Sequence, residues 1–261
     1  MFKKLSVLIP VYNEKNTVKT CVESVLNADI KGLELEVIIS DNNSNDGTQK
    51  ILNSFEDKRI KVLLRKQNNG KGANIKNALN EATGDLILFQ DGDLEYSPND
   101  FKDLLEPFFV YNADVVYGSR LTRARATNII GFPNYIANVL VTFLTNLLYN
   151  KIFTDIATGY KVFKQDIIKN LEITSDGFEI EPEITAKISK NKNIKIFEVP
   201  ITINSRKYDE GKKVKWWHFF TYLYHIVKWR FINWYIFLIS NFSKIMKITN
   251  LSLSFLQLSE Q

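Results

Sequence analysis

Three acidic side chains crowd one short stretch of the chain, Leu86 to Pro98, which reads LILFQDGDLEYSP. Asp91 and Asp93 flank Gly92, and Glu95 follows two positions later. The apolar run at 86–89 has the length and flanks of a buried parallel strand. The acids therefore fall at a strand's carboxyl end, where open α/β sheets place their ligands. That crowding calls for a cation: hard carboxylate oxygens suit Mg2+ or Mn2+, held by one or two carboxylates together with substrate phosphates. The competing reading is an ordinary Asp/Gly turn, with Ser97-Pro98 starting a helix as N-cap and first residue.

The flanking elements repeat this pattern. A strand at 6–9 is stopped by Pro10, and Val11-Tyr12-Asn13-Glu14 leads into a helix with Val18, Cys21, Val22, Val25 and Leu26 at helical spacing. A strand at 37–39 runs into SDNNSNDGT, whose Asp, Asn, Ser and Gly residues turn the chain and cap a helix from Thr48. After a strand at 60–64, Gly70 and Gly72 bracket Lys71 at the start of a helix with Ile75, Ala78, Leu79 and Ala82 on one face. A helix over about 98–111 and a strand at 114–117 ending in Gly118-Ser119-Arg120 complete the series. Such βα alternation predicts an α/β fold with a mainly parallel, right-handed sheet. Asp41, Lys71, Asp91, Asp93 and Arg120 then meet at one rim. Singly, each reads equally well as a turn former or solvated charge; their shared register is the stronger signal.

Composition sets the bounds. The 261 residues suffice for a full α/β domain with one sizeable core, at 45% hydrophobic and 24% charged residues. A single cysteine, Cys21, excludes an internal disulfide and a cysteine-rich zinc site. The start, MFKKLSVLIPVYNE, is interrupted by Pro10 and reads as a first strand, not a signal peptide. Within a net charge of +5, Arg206, Lys207, Lys212, Lys213, Lys215, Lys228 and Arg230 lie among late aromatics. That mixture suits a membrane surface; no nucleic-acid motif accompanies it.

Taken together, Pro10-Val11-Tyr12-Asn13-Glu14, Asp41 with Asn45-Asp46-Gly47-Thr48, Asn69-Gly70-Lys71-Gly72, Asp91-Gly92-Asp93-Leu94 and Gly118-Ser119-Arg120 resemble the inverting, nucleotide-sugar-dependent glycosyltransferases of family 2. The likeness is greatest to dolichol-phosphate or polyprenyl-phosphate mannosyl and glucosyl transferases, and covers roughly residues 5 to 215. The resemblance implies a GT-A fold, a Rossmann-like nucleotide-diphospho-sugar transferase domain. It implies nucleotide-sugar binding by Pro10, Tyr12, Glu14, Asp41, Lys71 and Asp91, and a Mg2+ or Mn2+ ion on Asp91 and Asp93, with Glu95 at a position that supplies a ligand in some relatives. Later motifs fit too: DIATGYKVF from Asp155, Glu181-Pro182-Glu183-Ile184-Thr185, Glu198-Val199-Pro200-Ile201, and Arg206 followed by Gly211-Lys212-Lys213. Arg120, Arg206 and Lys213 become candidates for gripping an acceptor phosphate, since Arg's planar fork suits paired oxygens. The stretch Gly131-Phe132-Pro133-Asn134-Tyr135 lacks the basic residue many such relatives carry there, and Arg123 and Arg125 precede it.

The acceptor decides the mechanism. A lipid phosphate is already anionic and needs positioning more than deprotonation. Asp93 and Arg120 would then act on the developing charges, with inversion through an oxocarbenium-like transition state. A saccharide hydroxyl would need a base, with Glu181 or Asp155 as candidates; their alternative roles are a helix-start carboxylate and a loop cap.

The expected organisation is a catalytic domain over 1–213, an amphipathic segment over 214–243 and a tail over 244–261. The middle segment, WWHFFTYLYHIVKWRFINWYIFLISNF, is broken by His225, Lys228, Arg230 and Asn233. It reads as helices in the membrane interface, as helices packed on the catalytic core, or as an anchor beginning near Phe231. The combined expectation is a metal-dependent hexosyltransferase moving mannose or glucose from a GDP- or UDP-sugar to a polyprenyl phosphate, peripherally bound at the cytoplasmic membrane face. Its rivals are a transferase acting on a saccharide in surface-polymer synthesis and an inactive sugar-nucleotide-binding or scaffold protein.

Overall fold

The computed structural model describes residues 2–122, 131–206 and 218–232. Seven strands form one sheet in the order β3-β2-β1-β4-β6-β5-β7. These are β1 (Lys4–Val11), β2 (Glu34–Asp41), β3 (Ile60–Leu64), β4 (Leu86–Phe89), β5 (Val115–Ser119), β6 (Lys161–Lys164) and β7 (Ile196–Pro200). β1 pairs in parallel with β2 and β4, with Val11 beside Asp41 and Leu8 beside Phe89. The tips of β1, β2 and β4 thereby reach the same rim.

The sheet is buried on both faces, which is why its central strands read as continuous apolar runs. Residues 5, 7, 9 and 11 of β1 and 86 and 88 of β4 face α1 (Val18–Leu26), α2 (Thr48–Leu52) and α4 (Phe101–Val110). Leu8, Ile87 and Phe89 pack on the other face, where α3 (Lys71–Glu81), α5 (Phe132–Tyr149), α6 (Gln165–Lys169) and α7 (Ile180–Lys190) contribute to the core. The helical residues 218–232, here α8, join that second face through Tyr222 and Ile226. The Tyr149 hydroxyl donates to the Ile226 carbonyl at 2.8 Å, tying α5 to α8.

Among the described residues the expected strands and helices are present, with two differences; 214–217 and 233–243 of the expected amphipathic segment, and the tail over 244–261, lie outside them. The helix expected from residue 98 begins as a single 3-10 turn, Pro98–Asp100, before α4. More consequentially, β6 lies antiparallel between β4 and β5. Its four residues carry a lysine at each end, a pattern too short and too charged to announce a central strand.

Candidate active site

The site is assembled from loops cross-braced before any ligand arrives. Asn13 takes a positive φ of 52° at the end of β1 and donates its N–H to Ser44 Oγ at 2.8 Å. The Glu14 N–H donates to Thr48 Oγ1 at 2.9 Å, while Asn13 Oδ1 accepts the Asn45 N–H at 3.0 Å. The motifs after β1 and β2 are thus one folded unit. Asp41 lies fully buried beneath it, accepting the Ser44 N–H at 3.0 Å, the Ser44 hydroxyl, and Gln49 Nε2 at 2.7 Å. Asp41, expected to bind nucleotide, braces the loop that carries Asn42 into the lining of the opening.

Lys71 opens α3 behind Gly70, whose φ of 98° favours glycine. A Cβ on Gly70 would also collide with the Asp176 carbonyl, so the helix start is pressed against the loop that leads into α7. Buried Asn74 in α3 donates to the Ser40 carbonyl at 2.6 Å and to the Val11 carbonyl at 3.3 Å, fixing α3 to the tips of β1 and β2.

Two adjoining pockets result. The first, a cleft of about 340 Å3, is lined by Pro10, Tyr12, Glu14, Asn42, Asn68, Lys71, Asp91, Asp93, Glu95 and Arg206 among others. The second, of about 180 Å3, is lined among others by Arg120, Asn138, Glu181, His218 and Tyr222. Lys71, Asp91, Glu95 and Phe178 belong to both. Of the five residues that the sequence gathers at one rim, Lys71, Asp91, Asp93 and Arg120 line these two compartments and Asp41 lines neither.

In the first cleft Arg206 lies among the acids. Its Nη2 is 2.6 Å from Asp93 Oδ2, its Nη1 is 3.0 Å from Glu14 Oε2, and its backbone N–H donates to Glu95 Oε1 at 2.8 Å. Expected beside Arg120, Arg206 faces the other compartment; Lys213, Arg123 and Arg125 lie outside the described residues. Burial and the neighbouring Asp91 charge push the Asp93 carboxyl up to about 7, against the pull of Arg206.

Among the described residues no three Asp, Glu, His or Cys side chains are grouped to hold a metal ion. Asp91 Oδ1 turns to Lys71 Nζ at 2.7 Å, while Asp93 and Glu95 engage Arg206. Two carboxylates still reach the cleft from one turn, and their mutual repulsion is the setting a divalent cation relieves. A cation completed by ligand phosphates needs no third acid, so Asp91 and Asp93 fit one, with Glu95 bound to the backbone of residue 206. Gly159 allows this arrangement: a Cβ there would sit 2.7 Å from Asp91 Oδ2.

The second compartment is organised by a pair of one buried carboxylate and one partly exposed guanidinium. Asp155, fully buried, receives Arg120 Nε at 2.7 Å, Arg120 Nη2 at 2.8 Å and Asn138 Nδ2 at 2.8 Å. Burial opposes the Asp155 charge, but Arg120 outweighs it and holds the carboxyl below its ordinary range. Asp155, a candidate base in the sequence, thus has both oxygens engaged by Arg120 and Asn138. Glu181 is nearly buried, with Oε2 paired to Lys161 Nζ and Oε1 3.4 Å from Lys71 Nζ. Burial opposes the charge on Lys71, yet Asp91 and Glu181 keep its pKa above the usual lysine value. Lys161, whose pKa burial lowers against the opposing pull of Glu181, was not singled out in the sequence. A lysine in a short charged run reads as solvated; its lone signal was its place in the motif before Val162-Phe163.

Two helices flank this compartment. Ile136, Leu140, Phe143 and Leu147 on α5, and Phe220, Tyr224, Val227 and Phe231 on α8, recur at helical spacing and are all exposed. No helix of the described residues is long and apolar enough to cross a membrane.

Residues 6–172 match the model of the family described as Glycosyl transferase family 2. A dolichol-phosphate mannosyltransferase of Pyrococcus furiosus is 28% identical over 234 residues, covering 88% of this chain and 64% of that protein. A UDP-N-acetylglucosamine–dolichyl-phosphate N-acetylglucosaminyltransferase of Methanococcus voltae is 25% identical over 218 residues, covering 76% of this chain and 85% of that one. Among solved structures, glucosyl-3-phosphoglycerate synthase of Mycobacterium tuberculosis with Mn2+, UDP and glucosyl-3-phosphoglycerate superposes with a TM-score of 0.63 at 16% identity, covering 88% of this chain and 79% of that one. The shared architecture is the GT-A fold.

Proposed function

The chain belongs to glycosyl transferase family 2, and from that premise we propose that it transfers a hexose, mannose or glucose, from a GDP- or UDP-sugar to a polyprenyl phosphate at a membrane surface. The observation that carries the reading is the pair of joined pockets: one rimmed by acids and loop amides, the next by a guanidinium held on a buried carboxylate, with Lys71 and Asp91 in the wall between them. The relatives named for dolichyl phosphate support the same acceptor class.

In this reading Pro10, Tyr12, Glu14 and Asn42 form the nucleotide wall, with Asp41 acting from beneath through the loop it braces. Lys71 meets the donor diphosphate. Asp91 and Asp93 would hold Mg2+ or Mn2+, which when bound neutralises the charge gathering on the departing nucleoside diphosphate. Arg206 balances the acids until a donor arrives. Arg120, whose Nε and Nη2 are held by Asp155, offers its remaining Nη hydrogens to the acceptor phosphate, which attacks without a base because it is already charged. A saccharide acceptor is less well served, since Glu181 in the second pocket already pairs with Lys161 and lies 3.4 Å from Lys71.

The exposed apolar stripes of α5 and α8 support peripheral attachment to lipid, with the polyprenyl chain reaching the second pocket between them. The test is transfer: purified protein with Mn2+ or Mg2+, polyprenyl phosphate and labelled GDP-mannose, UDP-glucose or UDP-N-acetylglucosamine. Label moving into the organic phase with GDP-mannose or UDP-glucose supports the reading, and label moving with UDP-N-acetylglucosamine alone overturns its choice of sugar. Label appearing in no lipid phosphate, with any donor and either metal, overturns it.

A further inference from the structure

A fully buried lysine at the centre of a sheet needs a reason. Lys161 in β6 has no exposure to water, and its Nζ bonds the Thr158 carbonyl and Glu181 Oε2 while lying 5.0 Å from the centre of the Tyr117 ring. Glu181, in the first turn of α7, leaves its other oxygen, Oε1, buried and without a hydrogen-bond partner. That oxygen lies 3.4 Å from Lys71 Nζ, which lies 2.7 Å from Asp91 Oδ1. Lys161, Glu181, Lys71 and Asp91 thus form a line of alternating charge from the core to the junction of the two pockets.

Stability does not account for this line. A buried ion pair gains little over well-packed apolar residues of similar volume, because desolvation cancels most of the attraction. A carboxylate at a helix N-terminus is favourable on the surface, but that does not explain a lysine buried beneath it. The arrangement makes sense if its far end matters. Lys71 has two anchors: Asp91, which faces the cleft and is open to competition from a ligand, and Glu181, whose position is set from the core by Lys161.

We infer that Lys161 and Glu181 are positioning residues that hold the Lys71 ammonium on the donor diphosphate. The inference rests on the donor reading given above. It also assigns Glu181 a role other than general base: one oxygen is engaged by Lys161 and the other faces Lys71, so neither is aimed at an incoming hydroxyl.

The experiment is calorimetric titration of the full chain, in Mn2+, with GDP, UDP, GMP and UMP. The variants are Lys71→Met, Glu181→Gln, and the double replacement Lys161→Met with Glu181→Leu, which removes both buried charges together. The double variant is expected to melt within about 3 °C of the wild type and to bind the preferred diphosphate about tenfold more weakly, the worth of one charge-assisted contact. Affinity for the matching monophosphate stays unchanged. Combining Lys71→Met with Glu181→Gln is expected to add nothing beyond Lys71→Met alone, and this cycle decides the matter if the double core variant does not fold.

Three results overturn the inference: unchanged diphosphate affinity, an equal loss for diphosphate and monophosphate, or a Glu181→Gln enzyme with collapsed kcat and intact diphosphate affinity. A wild-type protein that binds none of the four nucleotides refutes the donor reading itself, and the inference with it.

Discussion

Asp91 illustrates how little freedom a site residue has here. Its carboxylate is held by Lys71 on one side and passes over Gly159 on another, where a methyl group would come within 2.7 Å of Oδ2. Gly159→Ala is therefore expected to displace the carboxylate and weaken nucleoside diphosphate binding, while the overpacking itself lowers stability by about 1–3 kcal/mol; calorimetry and urea unfolding read the two effects separately. Asp155 offers the complementary case. Asp155→Asn leaves the partly exposed Arg120 guanidinium without its counter-charge, and this is expected to lower unfolding free energy by roughly 1–3 kcal/mol and raise KM for the lipid acceptor. Unchanged denaturation would show that the pair is not formed in solution. At this scale the sequence was informative at most of the charges in turn motifs: Glu14, Lys71, Asp91, Asp93 and Arg120 all line the two pockets. It was silent about direction. Nothing in the spacing said that Arg206 would face Asp93 and not Arg120, or that Asp41 would be turned beneath its loop, because such choices are set by contacts between segments far apart in the chain.

Elements decide how firmly these residues are held. Helix α7 carries Glu181 and is itself pinned at its start by Glu183, which accepts the Thr174 N–H at 2.9 Å and the Ser175 N–H at 2.7 Å and pairs with Lys187 at 2.7 Å. Burial works against the Glu183 charge, but Lys187 and these donors lower its pKa to about 2, from 4.5. Because the folded value lies below the unfolded one, this stabilisation is complete above about pH 4.5 and is lost as pH falls toward 2. Its full size is up to about 3 kcal/mol. Glu183→Gln should flatten the acid limb of a stability–pH profile between those values; a variant that unfolds with the same acid slope as the wild type would exclude the assignment. The βα units before residue 120 were legible because each joins an apolar run to a turn of recognisable chemistry, as at Ser40-Asp41 and Asn69-Gly70. β6 was not, since a strand of four residues flanked by lysines shows no alternation and gains its place only by pairing with β4 and β5.

At the scale of the molecule, the two pockets and the exposed apolar stripes share one side. The apolar stripes of α5 and α8 flank the second pocket, and Phe143 and Leu147 are 63% and 67% exposed, a cost in water that a lipid surface would remove. Replacing both with glutamate is expected to abolish co-sedimentation with anionic phospholipid vesicles while leaving nucleotide affinity unchanged; retained sedimentation would place the membrane contact elsewhere. The same reading anticipates that the strand tips gather a nucleoside diphosphate, and this is the claim on which the rest depends. Crystals of the full chain grown with Mn2+ and GDP or UDP would test it most directly. The expected result is an anomalous manganese signal at the carboxylates of Asp91 or Asp93, with the diphosphate beside Lys71 and Arg206 withdrawn from Asp93. A nucleotide bound away from these side chains, or a cleft in which Arg206 keeps its pairs while the protein binds nucleotide in solution, would contradict it.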